Sequence, residues 1–157
     1  MTADPGVRIR TATEADLDAI MALEHEAFPA SPWERATMQA EIASEWGRYL
    51  LAVDPDGHAL GYAGLRAVGV EGDVQTIAVA EAARGRGIGR ALVAELLAEA
   101  GRRGVRELFL EVRADNAVAR GLYASVGFAE IGVRPRYYQP EDVDAIVMKR
   151  TTDGQAQ

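Results

Sequence analysis

From Gln75 to Leu97 the chain reads QTIAVAEAARGRGIGRALVAELL, and this stretch restricts the fold more than any other. Ile77-Ala78-Val79 is a short apolar run suited to a buried strand. A turn follows in which Gly85, Gly87 and Gly89 alternate with Arg84, Arg86 and Arg90. Ile88, Leu92, Val93, Leu96, Leu97 and Ala100 then recur at helical spacing, which keeps one stripe facing inward. A strand that feeds a glycine-rich turn at a helix N-terminus presents unpaired amide N–H groups and a positive dipole end to an anion. Glycine lets the backbone approach a phosphate closely. The three arginines make the turn locally positive in a chain of net charge −7. The nucleoside-triphosphate loop is excluded, because Gly89 is followed by Arg90-Ala91 rather than Lys-Ser/Thr. The dinucleotide fingerprint fails as well, since its third glycine, counted from Gly85, falls on Arg90. The plainer alternative is a helix start with flexible glycines and solvated arginines.

At 157 residues the chain reads as a single domain over 1–150 with a disordered tail over 151–157. MTADPG has neither a basic nor an apolar leader segment, and no apolar run approaches 18 residues, so a cytoplasmic protein without membrane contact is expected. The absence of cysteine excludes a disulfide framework, a thiolate metal site and a cysteine nucleophile. Two isolated histidines, His25 and His58, argue against a zinc site, and no metal is expected. An acidic balance, with pI near 4.9, argues against direct nucleic-acid binding.

Val7 to Arg10 reads as a strand. Thr13 with Asp16 resembles a capping box, and Leu17, Ile20, Met21 and Glu24 follow at helical spacing. Ala27 to Ala30 breaks this helix. Ser31-Pro32-Trp33-Glu34 reads as a second start, with serine as N-cap and proline at the first helical position, and Met38 and Ile42 facing inward. Tyr49 to Val53 and Ala59 to Val68 form a hairpin across Asp54-Pro55-Asp56-Gly57. A turn at Gly69 to Asp73 leads to the strand carrying Ile77 to Val79. Gly104 caps the third helix, and Val105 to Val112 returns beside the fourth strand as a parallel crossover. The last strands are Phe128 to Arg134 and Asp144 to Arg150, with Pro135 and Tyr137-Tyr138-Gln139-Pro140 in their connection.

In the fifth strand Leu108, Leu110 and Val112 share one face and Glu107, Phe109 and Glu111 the other. A carboxylate near the end of an internal strand is costly unless paired, exposed in a cleft, or employed. The structural alternative for Glu111 is an ion pair with Arg113 or Arg106. On the helix that follows, Asn116, Arg120 and Tyr123 share a face, while Val118, Leu122 and Val126 form a separate apolar stripe. Tyr123 is therefore expected outside the core stripe. Trp33 reads as core or as a ligand contact.

The order βααβββαβαββ, the turn RGRGIGRAL and the segment LEVRADNAVARGLYASVGF together resemble the GNAT acyltransferase superfamily. More narrowly, SPW at 31–33, LEVRADN at 110–116 and RPRYYQP at 134–140 are similar to the bacterial ribosomal-protein-alanine N-acetyltransferases. The resemblance implies a mixed α/β (α+β) fold: a mostly antiparallel seven-stranded sheet with one parallel pair, β4–β5, and four helices. It implies acetyl-CoA as co-substrate and a protein N-terminus, of a ribosomal protein, as acceptor. It makes Glu111 the general base and Tyr123 the general acid. Ile77, Ala78 and Val79 would pair with the pantetheine arm; Arg84, Gly85, Arg86, Gly87, Ile88, Gly89 and Arg90 would hold the pyrophosphate; Asn116 would also contact the cofactor. Trp33, Tyr137 and Tyr138 would flank the peptide entrance. The lead Glu81-Ala82-Ala83 departs from the family pattern in lacking a proline and an aromatic residue. The rivals are a GNAT enzyme acting on a lysine side chain or a small amine, and a non-catalytic acyl-CoA-binding regulatory module.

Overall fold

The computed structural model describes residues 6–152. The elements are β1 Arg8–Thr11, α1 Leu17–Ala27, α2 Arg35–Ala43, β2 Gly47–Val53, β3 Ala59–Val68, β4 Glu71–Val79, α3 Ile88–Arg102, β5 Glu107–Arg113, α4 Ala117–Ser125, β6 Ala129–Tyr138 and β7 Val143–Thr151. The expected order is thus present. The seven strands follow the order β1-β2-β3-β4-β5-β7-β6. The β1–β2, β2–β3, β5–β7 and β6–β7 pairs are antiparallel, whereas β4 and β5 run parallel over Glu71–Asp73 and Glu107–Phe109. Contacts divide the chain into two compact units: Met1–Arg66 with Val74–Glu99, and Ala67–Asp73 with Ala100–Gln157.

The first unit is built on a core in which α1 supplies Leu17, Ile20, Met21 and Leu23, and α2 supplies Met38. Tyr49, Leu51, Val53, Tyr62 and Ala78 join them from β2, β3 and β4. The capping box forms: Thr13 accepts the Ala15 N–H, and Asp16 accepts the Thr13 N–H at 2.9 Å. Arg10 clamps the same carboxylate at 2.8 and 2.9 Å. Gly64 is required because the Tyr49 ring lies over it; a Cβ there would come within 2.3 Å of the ring. The second helix starts later than its sequence signals suggest. Glu34 is the N-cap, without a side-chain cap bond, and Arg35 is the first helical residue. A long-range contact overrides the Ser31-Pro32 signal: the Trp33 N–H donates to Glu24 Oε2 at 2.9 Å. The turn after β3 is also shorter than expected, because β4 already begins at Glu71.

In the second unit β5 alternates as expected, with Leu108, Leu110 and Val112 buried. Leu110 pairs across to Met148 and Val112 to Ile146, both buried on β7. Gly104 and Gly127, at φ 77 and 102, close α3 and α4. Val105 N–H bonds back to Ala100 C=O and Phe128 N–H to Tyr123 C=O, which satisfies carbonyls left open by each helix end. Three expectations are corrected here. Val118 is 86% exposed, whereas Tyr123 is 4% exposed and is the buried residue of α4. Leu122 and Val126 remain partly buried, so the inward face keeps them, takes in Tyr123 and leaves Val118 out. The sixth strand reaches Tyr138, with a register irregularity between Arg134 and Tyr138, so Pro135, Tyr137 and Tyr138 belong to its bulged end rather than to a connection. Thr151 ends β7, and the Thr152 N–H bonds to Arg106 C=O at 2.8 Å, so these two residues are ordered. The rest of the expected disordered tail, 153–157, and the first residues, 1–5, lie outside the described residues.

Candidate active site

The glycine–arginine turn lies where β4 hands over to α3. After a 3₁₀ turn at Glu81–Ala83, Gly85 and Gly87 adopt φ of 79 and 80, which glycine occupies without strain. The first α3 hydrogen bond runs from Ala91 N–H to Gly87 C=O, so the N–H groups of residues 87–90 have no acceptor within the helix. Ile88 is 1% exposed, so its side chain belongs to the core and only its backbone can face a ligand. Arg84 turns back to donate from Nε to Val79 C=O at 3.3 Å, bracing the strand end. Arg86 and Arg90 are partly exposed. Four adjacent amides, two left-handed glycines and these arginines fit a pyrophosphate. Ala78 is buried, whereas Ile77 and Val79 alternate to the partly exposed side of β4.

In the second unit, Glu111 sits on the partly exposed face of β5. Its β7 neighbour is Val147, which in turn pairs with Gly132; Arg113, Ala145 and Arg134 form the next row on the same face. This register brings Arg134 diagonally onto Glu111, and Arg134 Nε forms an ion pair with Glu111 Oε2. Tyr137 also hydrogen-bonds Glu111; burial, this bond and the carboxylate charge all push its phenol up. Burial and the nearby Glu111 charge push the Tyr138 phenol up to about 12. Burial, with a smaller contribution from Tyr138, pushes the Tyr123 phenol up. Tyr138 therefore stands within electrostatic reach of both Glu111 and Tyr123. The Tyr123 ring meets Phe128 edge-on, with centroids 5.8 Å apart.

Not every expected contact has the form the sequence suggested. Glu111 is paired with neither Arg113 nor Arg106; Arg113 binds Asp115 at 3.1 Å and lies 5.2 Å from the Tyr138 ring centre. Arg134 is a missed residue, since only the β6–β7–β5 register brings it to Glu111. Asn116 is the α4 N-cap, accepting the Ala119 N–H at 3.1 Å. Arg120 binds Glu130 and Ala114 C=O rather than sharing a ligand-facing row. Trp33 is partly buried against the first unit's core. Asp54, Asp56 and His58 gather at the β2–β3 turn, where Asp54 Oδ1 accepts the Asp56 and His58 N–H groups. These side chains serve the turn. Among the described residues no helix is long and apolar enough to cross a membrane.

The chain is 43% identical over 156 residues to the N-alpha-acetyltransferase RimI of Mycobacterium tuberculosis, covering 96% of each chain. It is 44% identical over 147 residues to an uncharacterized protein of Mycobacterium leprae, matching 90% of this chain but only 40% of that longer protein. The crystal structure of the ribosomal-protein-S18-alanine N-acetyltransferase from Escherichia coli superposes with a TM-score of 0.85 and 34% identity, covering 92% of this chain and 93% of that one. The fold expected from the sequence is the one these neighbours share. Residues 17–128 match the Acetyltransferase (GNAT) family, and the chain is a member of that family of acetyltransferases.

Proposed function

We propose that this protein transfers the acetyl group of acetyl-CoA to the N-terminal α-amine of a protein, and that the acceptor is a ribosomal protein beginning with alanine. Two observations carry the reading: in the first unit, a glycine–arginine turn that presents the helix-start amides of residues 87–90, and in the second, a partly exposed strand-end carboxylate flanked by Tyr137 and Tyr138. Likeness to one enzyme named for N-alpha acetylation and to another named for acetylating an alanine of ribosomal protein S18 supports the acceptor class. The match to the family runs through residues of both units, which supports reading 1–150 as one catalytic domain. We place the protein in the cytoplasm.

In this reading the N–H groups of residues 87–90, with Arg86 and Arg90, hold the pyrophosphate. Ile77, Ala78 and Val79 align the pantetheine arm, and an N–H near Val79 polarises the thioester carbonyl. An α-amine has a pKa of about 7.7–8.0, so roughly a tenth is neutral at pH 7, whereas a lysine at about 10.4 is almost wholly charged. Glu111 takes the amine proton, directly or through a water. The amine nitrogen forms a bond to the carbonyl carbon, the carbon–sulfur bond breaks, and the thiolate leaves. Tyr123 gives that thiolate a proton; its raised pKa keeps the phenol protonated at neutral pH. With no cysteine in the chain there is no acetyl-cysteine intermediate, so attack is direct within a ternary complex. Trp33, Tyr137 and Tyr138 flank the acceptor peptide.

The test is incubation with acetyl-CoA and peptides starting with alanine, serine or methionine, with free or blocked N-termini, read by mass. Acetylation of the free α-amine alone supports the assignment. Acetylation of internal lysines on blocked peptides moves the function to side-chain amines, and absence of turnover with any amine moves it to a binding module.

A further inference from the structure

Glu24 is 1% exposed, and nothing in the reaction uses it. It lies on the inward side of α1 among apolar residues, where a leucine or methionine would pack without desolvation cost. Its carboxyl group meets three neutral donors. Oε1 accepts from the Tyr62 hydroxyl on β3 and lies 3.4 Å from Thr76 Oγ1 on β4; Oε2 accepts the Trp33 backbone N–H at 2.9 Å. Tyr62 and Thr76 are themselves 3.0 Å apart. One buried group therefore ties helix α1 to the irregular segment that leads into α2, to Tyr62 on β3, and to the strand residue immediately before Ile77. The α2 N-terminus has no side-chain cap of its own; the Glu24–Trp33 bond holds the backbone just before the Glu34 N-cap, and Arg35 in the first turn binds Asp18 on the surface of α1. Such a carboxyl group buys placement rather than stability.

We propose that Glu24 is a positioning residue for the acceptor: by holding the Trp33 backbone it sets the wall that the acceptor peptide meets, relative to the strand that aligns the thioester. This rests on the function proposed above, in which Trp33 flanks the peptide and Ile77–Val79 the cofactor arm.

Two variants separate placement from packing. Glu24→Met keeps the volume and leaves Tyr62 and Thr76 to bond each other, so the Trp33 N–H alone loses its acceptor. Glu24→Gln keeps an oxygen for Trp33 and turns its amide N–H toward Tyr62. Glu24→Met is expected to raise the peptide KM about tenfold, the usual scale for an unpaired buried donor. The acetyl-CoA Kd and the kcat at saturating peptide should stay within about threefold of wild type, and Glu24→Gln should restore the peptide KM. A Glu24→Met enzyme with wild-type peptide KM, or with peptide KM, acetyl-CoA Kd and melting temperature degraded together, would show a packing residue and overturn the proposal. Hydrogen exchange of the Trp33 amide in the wild-type protein needs no variant to fold. Strong protection supports the tie, and exchange at the rate of an unstructured loop overturns it. Failure of wild-type enzyme to acetylate any N-terminal peptide removes the functional reading and this proposal together, whereas loss of this proposal alone leaves peptide turnover intact.

Discussion

Glu111→Gln separates a working carboxylate from a structural one. Its partner Arg134 is 58% exposed and Glu111 itself 29% exposed, so their ion pair contributes under about 1 kcal/mol to stability. In a domain of this size that corresponds to a melting-temperature change of at most about 4 °C. Loss of a general base, in contrast, lowers turnover about 10²–10⁴-fold. The expected result at pH 7 is a fall in kcat of at least about a hundredfold, with unchanged acetyl-CoA affinity and nearly unchanged melting. The pH dependence adds a second signature. Without the base, the variant relies on amine that is already neutral, and that fraction rises from about a tenth at pH 7 to more than about nine tenths at pH 9. The deficit should therefore shrink by up to about tenfold over that range. The assay is steady-state acetylation of an alanine-starting peptide at saturating peptide and acetyl-CoA between pH 6 and 9, beside thermal melts. Turnover within about threefold of wild type at every pH would refute the reasoning and leave Glu111 as a structural partner of Arg134.

Tyr123→Phe keeps the edge-on contact with Phe128 but removes the proton donor, so kcat should fall about a hundredfold while the melting temperature holds. Gly87→Ala forces a side chain into left-handed backbone at φ 80, and calorimetry should show acetyl-CoA affinity about tenfold weaker. Asp16→Asn tests linkage in the first unit. Its Arg10 hydrogen bond lowers the Asp16 pKa below 3.8, so the stabilisation is present above that value and is lost as pH falls through the folded-state pKa. The variant should be about 1 kcal/mol less stable than wild type by urea titration at pH 7, with the difference shrinking as the pH falls below the ordinary carboxylate range. Initial rates at varied peptide and acetyl-CoA should give intersecting double-reciprocal lines; parallel lines contradict direct attack.

The elements whose signals are local were legible in the sequence. The alternation in β5, the Thr13–Asp16 capping box and the glycines ending α3 and α4 depend on residues a few positions apart, and all are realised. The errors arise where distant contacts decide. Ser31 and Pro32 offer a helix start, but the Trp33 N–H is taken by Glu24 nine residues earlier. Val118 and Tyr123 fit either of two helical frames, and only packing chooses the frame that buries the tyrosine. Glu24 stands in line with Leu17, Ile20 and Met21, and a carboxylate in an inward row was the visible signal. Its partners Tyr62 and Thr76, 38 and 52 residues along the chain, were not. Likewise Glu111 stood out as a carboxylate needing a partner, while Arg134 was hidden because a bulged edge strand sets its register.

The most direct measurement is a crystal structure with coenzyme A covalently joined through an acetyl bridge to an alanine-starting peptide. The account predicts pyrophosphate oxygens on the amides of residues 87–90, the Glu111 carboxylate within one water of the peptide nitrogen, and the Tyr123 hydroxyl at hydrogen-bond distance from sulfur. A complex in which the pyrophosphate avoids those amides, or in which Glu111 remains closed on Arg134 away from the nitrogen, would contradict it.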